Sequence, residues 1–297
     1  MRVLGPLQCL NVRLGNCRPL DLEDDNSLFS ILSLLEMVSD ERKPSRAPHP
    51  PIVEAIVDID CVLSPRSKLE DLEMSARDSL REKYPLLQRR FLQQFQIHHQ
   101  GEVKSKNDIE EGSLDALLFR SADNLQLTQF RRTGFSFNRL APYHGMNEYF
   151  PEIERTWNNY RLIADPLRIG RIGLRMINRI ELPLDQSGIV ELDSFFKTGP
   201  RLPVVEGRSL TFTGFLNQHQ IFVKDSGDYA DISLAIEGRS EEKISVILDI
   251  NAFDKRSREE LDWEEIEPVL QSLRSLKNQL FFNTLTEECL NLYTCQS

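Results

Sequence analysis

The sequence predicts an α+β fold in which duplicated strand-helix-three strands-helix halves form a mainly antiparallel sheet with helices packed on one face. Three observations support this class. Alternation of apolar and polar residues, typical of strands, recurs along the chain. Segments with apolar residues at helical spacing separate these strands, and the order of strands and helices occurs twice. The duplication lies in the order of elements rather than in residue identity. A single curved sheet that grips the C-terminal helix around a ligand cavity is the rival architecture.

We divide the chain into an N-terminal extension over residues 1–50, a first half over 51–166 and a second half over 167–297. The extension mixes Pro, Arg, Asn and acidic residues around one apolar cluster, which predicts a flexible segment. Met37 offers a compact alternative start, so we hypothesise that the residues before it do not belong to the native protein. The intact mass of natively expressed protein tests this hypothesis.

The first half opens with a strand that alternates acidic and apolar residues. A helix with one apolar stripe follows it, and a second helix closes the half before Pro166. The predicted elements are strands at 53–62, 91–99, 114–120 and 125–137 and helices at 67–83 and 147–164.

The second half repeats the order of strands and helices, but its first helix is short. Its last helical region has capping-box spacing at Asp262 and Glu265, and Thr284 with Glu287 indicates a second cap. We therefore expect a break near Asn283. The predicted elements are strands at 168–182, 209–223, 229–238 and 243–251, a short helix at 192–196 and a helical region over 262–293.

Charged residues on the first strand of each half are complementary in sign. Residues two and four apart on a strand point to the same side. We predict that the two strands lie side by side, with Ile56 near Ile177, and that their charges form a structural ion-pair ladder. The ladder is favoured over a metal site because no nearby His joins the acids. Its acids are Glu54, Asp58 and Asp60, and its cations are Arg171, Arg175 and Arg179.

Composition argues against several classes of function. The net charge of −10 argues against nucleic-acid binding by the whole surface, although the arginine face leaves a local site open. No apolar run approaches the ~20 residues of a membrane span, and the first residues lack a signal-peptide pattern. The 5 cysteines are scattered without zinc-site spacing, which favours reduced thiols and a cytoplasmic location.

No catalytic or cofactor motif emerges from the sequence. Nucleophile elbows, phosphate-cradling loops and dinucleotide fingerprints are absent, so we expect no cofactor. The histidines, including His98, His99, His144 and His219, have no evident acid–base partner. The chain is therefore not expected to be an enzyme.

One segment mixes aromatic and polar residues in a way that can line a pocket. It runs from Phe135 to Tyr143, although packing at a strand-to-helix corner is the simpler interpretation. Together with the arginine strand it supplies the predicted ligand or partner contacts, which are Asn138, Tyr143, Arg171, Arg175, Asn178 and Arg179.

Three separated motifs, Pro50–Ile56, Phe135–Tyr143 and Arg171–Ile180, resemble those of a sporadically distributed family of uncharacterised bacterial proteins. The resemblance covers residues from about 45 to the C-terminus and leaves the extension outside it. The family brings no assigned activity. Its patchy occurrence is similar to that of accessory genes of mobile or defence clusters, and the resemblance implies a role of that kind.

The expected function is a cytoplasmic binding or scaffolding protein that engages a protein partner or a small ligand, with a homo-oligomer as an open possibility. The alternative is a metal-dependent hydrolase or nuclease. In that alternative Glu54, Asp58 and Asp60 hold the metal, while Arg175 or Arg179 contacts phosphate.

Overall fold

A computed structural model of the chain describes residues 51–65, 68–92, 113–208 and 210–293. The predicted flexible extension over 1–50 and the alternative start at Met37 lie outside the described residues. The predicted strand at 91–99 is described only through Leu92.

Nine strands and five helices make up the described part of the chain. The strands are β1 (Ile52–Val62), β2 (Leu86–Leu92), β3 (Ser113–Arg120), β4 (Gln126–Arg131), β5 (Gly134–Leu140), β6 (Arg168–Pro183), β7 (Leu216–Phe222), β8 (Tyr229–Arg239) and β9 (Lys243–Asp254). The helices are α1 (Leu69–Leu80), α2 (Met146–Ala164), α3 (Leu192–Phe195), α4 (Trp263–Thr284) and α5 (Glu287–Asn291).

The described strands form one open sheet in the order β2-β3-β4-β5-β1-β6-β9-β8-β7. Every neighbouring pair in this order is antiparallel. The two strands that begin the predicted halves, β1 and β6, are neighbours near the centre of the sheet. The predicted adjacency of these two strands is therefore confirmed.

Helices α1, α2 and α4 pack their buried side chains on one set of alternating strand residues. Val57 and Ile59 of β1 belong to this core. Trp157 and Tyr160 of α2 are fully buried, with ring centroids 5.8 and 5.9 Å from that of Phe135 on β5. A second cluster continues the core among β8, β9 and α5. The predicted α+β class with a mainly antiparallel sheet is confirmed.

The predicted single strand over 125–137 is wrong, because the structure has two strands, β4 and β5, joined by a tight turn. Gly134 closes this turn at φ +136°. A Cβ at this position would lie 2.1 Å from the backbone oxygen of Ile59 on β1. Alternation continues through the turn, so periodicity alone did not reveal the reversal.

The predicted break in the C-terminal helical region is confirmed, but the predicted second cap is wrong. Helix α5 begins after Thr286, whose hydroxyl oxygen accepts a hydrogen bond from the Cys289 N–H at 3.2 Å. Thr284 instead ends α4. Asp262 is the N-cap residue of α4, yet its side chain makes no capping hydrogen bond and pairs with Arg161.

We expect Gly134→Ala to destabilise the protein by roughly 3 kcal/mol or more, since the added methyl group meets β1 backbone and the left-handed φ is unfavourable for Ala. Urea denaturation measures this loss in the free energy of unfolding. Gly214→Ala is the matched control, because a Cβ there meets no atom within 4 Å. Equal stability of the two variants would contradict the close-approach argument.

Candidate binding surface

The sheet side chains that point away from the core form a second surface, which we name the polar face. None of the described helices adds its buried stripe to this face. The face is built from Glu54, Ile56, Asp58, Asp60, Gln129, Arg131, Ser136, Asn138, Arg171, Arg175, Ile177, Arg179, Asp231, Ser233, Asp249 and Asn251.

Arg131 of β4 is the main counter-ion of the β1 carboxylates. Its Nη2 lies 3.2 Å from Asp58 Oδ1 and 3.0 Å from Asp60 Oδ1, and it also donates to the Phe135 carbonyl oxygen at 2.8 Å. Arg171 of β6 approaches Asp60 Oδ2 at 3.5 Å. Arg131 was not predicted as a partner, because β4 and β5 were taken for one strand.

The predicted ladder between β1 and β6 is wrong in its register. Asp60 lies opposite Arg171, Asp58 lies opposite Gly173, and Ile56 lies opposite Arg175 instead of Ile177. The register predicted from the Ile56–Ile177 pair is displaced by two residues. A shift of two leaves every side chain on the same face, so alternation cannot detect it.

The remaining arginines of β6 take their partners from the second half of the chain. Arg175 Nε donates to both oxygens of Asp249 on β9, at 2.9 and 3.1 Å. Arg179 binds both oxygens of Glu237 on β8, at 2.6 and 2.7 Å. Alternation along β9 puts Asp249 on the face opposite the buried Leu248 and Ile250, and this pattern is the sequence signal for the contact.

Glu54 is held by an amide rather than by an arginine. Asn138 Nδ2 donates to Glu54 Oε1 at 2.7 Å, while Asn138 Oδ1 accepts from the Ser136 hydroxyl at 2.9 Å and from Gln129 Nε2 at 3.1 Å. Asn138 therefore lies on the polar face among the predicted site residues.

Two predicted contact residues lie away from the polar face. Asn178 is buried, and its Nδ2 donates to the Leu248 carbonyl oxygen at 2.9 Å. Tyr143 packs against the helix-side core, and its ring centroid lies 5.6 Å from that of Tyr149. The structure therefore brings together Asn138, Arg171, Arg175 and Arg179 but separates them from these two side chains.

Burial governs the electrostatics around Asp58. It raises the pKa of the Asp58 carboxyl above its ordinary value, while the nearby Arg131 and Arg171 guanidinium groups oppose the rise and the Asp60 carboxylate adds to it. Within the described ranges, no three His, Cys, Asp or Glu side chains are grouped as a metal site requires. Asp58 and Asp60 have guanidinium neighbours, and Glu54 is bound by the Asn138 amide.

Polar side chains beside the Arg175–Asp249 pair surround a shallow depression of about 440 Å³. Its walls carry both hydrogen-bond donors and acceptors. They include Arg175, Gln218, Gln220, Asp231, Ser233, Asp249 and Asn251.

A second charged cluster lies where β9 ends. Asp254 is fully buried, and it accepts hydrogen bonds from Arg256 Nε at 2.8 Å, from the Arg256 backbone N–H at 2.8 Å and from Arg258. Burial opposes ionisation of Asp254, but these donors outweigh it and hold its pKa below the ordinary value. Arg256 also pairs with buried Asp228 at 3.1 Å. This cluster fixes the chain after β9.

Arg131→Met is expected to destabilise the protein by about 2–3 kcal/mol, because it leaves two partly buried carboxylates without their shared counter-ion. Asp58→Asn is expected to change stability by less than about 1 kcal/mol at neutral pH, because it removes a charge whose burial is unfavourable. Urea denaturation of both variants checks this order. A larger loss in Asp58→Asn than in Arg131→Met would show that Asp58 is the essential partner.

Asp254→Asn is expected to cost about 3 kcal/mol at neutral pH, because it leaves the largely buried Arg258 without its anion and leaves Arg256 with Asp228 alone. The folded-state pKa of Asp254 is lowered, so its ionised form stabilises the protein above the unfolded-state pKa. This contribution disappears as pH falls through the folded-state pKa. Denaturation at neutral and strongly acidic pH should show the difference between wild type and variant shrinking in acid; a constant difference would contradict the linkage.

Comparisons with known proteins add no assignment. No protein-family model matches the chain, and no curated protein matches it. None of the helices in the described part of the chain combines the length and apolar character needed to cross a bilayer.

Proposed function

We propose that this chain is a non-catalytic binding protein and that its polar face docks a protein partner. The observation that carries the proposal is that each arginine of this face is paired with a carboxylate. Arg131 is paired with Asp58 and Asp60, Arg175 with Asp249, and Arg179 with Glu237. Such pairs order the side chains before a partner arrives, which reduces the entropy lost on binding.

The pairing argues for a protein rather than a nucleic acid as partner. Nucleic-acid binding depends on cations that are available to neutralise phosphates. Here the guanidinium groups of Arg175 and Arg179 are each bound to a carboxylate through two oxygens. A face of mixed and nearly balanced charge complements a protein surface of mixed charge, and charge complementarity gives specificity in such contacts.

Residue type and area support the same proposal. Arginine is enriched in protein interfaces and at their energetic centres, whereas lysine is depleted, and the cations at the centre of the polar face are arginines. The width of the face follows from the nine described strands, which lie ~4.8 Å apart. Its length is about six residues at ~3.3 Å each, so the face covers roughly 750 Å². A standard protein interface buries about 800 Å² on each partner.

Internal duplication is part of the proposal. From the β1–β6 pair outward, the strand order is β5, β4, β3, β2 on one side and β9, β8, β7 on the other. On both sides, the strands that come later in the chain lie nearer the centre of the sheet. This shared order supports descent from one repeated unit. An accessory role in a bacterial mobile or defence cluster fits a binding protein, and it rests on the motif resemblance alone.

The hydrolase alternative has less support. It assigns a metal to Glu54, Asp58 and Asp60, but these side chains contact Asn138, Arg131 and Arg171. A neighbouring guanidinium raises the cost of adding a divalent cation. Calorimetric titration with Mg²⁺ or Mn²⁺ distinguishes the two functions, because a stoichiometric site that Asp58→Asn abolishes would favour the hydrolase.

Cross-linking of the tagged full chain in its native cells tests the binding proposal. We expect one protein to be recovered with wild type and to fall at least about tenfold with Arg175→Ala/Arg179→Ala, since each lost anchor weakens binding by about 1 kcal/mol or more. These arginines are 41% and 46% exposed at the side chain, so the fold should survive, and circular dichroism checks this.

Arg77→Ala/Arg81→Ala is the matched control, because it removes two exposed arginines on the helix side, one in the last turn of α1 and one at its C-cap. The control should retain the cross-linked protein. Equal recovery with the polar-face variant and the control would refute the proposed interface. Recovery that disappears after nuclease treatment would show that a nucleic acid, and not a protein, bridges the contact.

A further inference from the structure

The two edge strands of the described sheet, β2 and β7, differ in how they are protected against further pairing. Strand β2 carries Arg89 and Arg90, and its ladder with β3 shifts register after Arg90. Charged side chains and irregular register are usual means by which an edge strand avoids pairing with another chain. Strand β7 has neither of them, and its ladder with β8 is regular from Leu216 to Phe222.

The segment that contains β7 carries no charge. Asp, Glu, Lys and Arg make up 28% of the chain, yet none of them occurs over 210–223. Outside its ladder with β8, the backbone of β7 makes no hydrogen bond to the backbone of any residue in the described ranges. This edge is therefore an open template for one more antiparallel strand.

Every second residue of β7 directs its backbone N–H and C=O away from β8. The Val223 N–H donates to the Asp228 carbonyl oxygen at 2.8 Å, so these two residues form a hydrogen-bonded pair at the end of the ladder. Hydrogen-bonded and non-hydrogen-bonded pairs alternate along an antiparallel ladder. The residues with outward backbone groups are therefore Leu216, Gln218, Gln220 and Phe222.

These outward residues are symmetric about His219, the central residue of β7. When two copies of β7 pair about a two-fold axis at His219, Gln218 lies opposite Gln220 of the second copy, and their amides can bond each other. Leu216 lies opposite Phe222 of the second copy. This apolar pair buries side chains that are 65% and 53% exposed in the single chain.

We propose that the chain forms a homodimer through β7, which joins two sheets into one continuous antiparallel sheet. A second copy fits this edge because the edge is complementary to itself. It also brings no like charges together across the axis, although each chain has a net charge of −10. The dimer does not depend on the partner proposed for the polar face.

Backbone hydrogen bonds supply most of the contact. Four outward residues on each strand form about eight of them across the axis. A typical protein interface has about 10 ± 5 direct hydrogen bonds. The area of a single strand pair is small, so we expect a reversible dimer that dissociates at roughly tens of micromolar.

Sedimentation equilibrium of the full chain between about 1 and 200 µM tests the dimer, because wild type should pass from monomer to dimer over this range. Gln218→Lys/Gln220→Lys and Gln218→Glu/Gln220→Glu each place like charges opposite each other across the axis. Each variant alone should therefore dimerise at least about tenfold more weakly than wild type. An equimolar mixture of the two should regain association, because every lysine then meets a glutamate.

Gln88→Lys is the matched control, because it adds a charge to the β2 edge, and it should dimerise as wild type does. Circular dichroism checks that each variant folds. A monomeric wild type would overturn the interface, as would equal dimerisation of wild type and the double lysine variant. A mixture of the two folded double variants that stays monomeric would also overturn it.

Amide hydrogen exchange of wild type covers the case in which the double variants do not fold. At a protein concentration of about ten times the Kd, the outward N–H groups of Gln218 and Gln220 should exchange about fivefold more slowly than in the monomer. An unchanged exchange rate would contradict the proposal.

Discussion

The antiparallel ladder between β1 and β6 is the constraint on which the rest of the structure depends. It lies near the centre of the sheet, with β5 bound to the other edge of β1 and β9 bound to the other edge of β6. Its register decides which side chains meet on both faces. Val57 and Leu174 are opposite each other in the core, while Asp60 and Arg171 are opposite each other on the polar face. A one-residue slip would exchange the two faces of β1 and bury its acids.

Charge on the polar face is balanced by contacts that cross strands in both directions from this ladder. Arg131 reaches the β1 acids from β4, and Arg175 reaches Asp249 on β9. Partly buried ion pairs contribute little net stability, since desolvation offsets much of the attraction. Removing one partner lowers the stability of the fold, because it leaves the other charge without a counter-ion. The pairs therefore act mainly to fix side-chain positions, which suits a surface that recognises a partner.

Much of the fold could be predicted from local pattern. Alternation identified β1, β6, β8 and β9, and helical periodicity identified α1, α2 and α4. Complementary charge placed β1 beside β6. The β4–β5 hairpin escaped because its turn preserves alternation, and Gly134 is required there by the nearby backbone of β1 rather than by any local signal. The cap of α5 at Thr286 was missed because two threonines stand within one turn of each other.

The sequence by itself determined the α+β class, the acidic and basic faces of two strands and their adjacency, since these follow from periods of two and 3.6 residues and from opposite charge. The tertiary structure alone decided which acid meets which arginine. Strand alternation is unchanged by a shift of two residues, and an arginine side chain is long enough to reach a neighbouring strand. Asp249 and Glu237, distant in sequence from the arginines they bind, became partners only when β9 paired with β6 and β8 paired with β9.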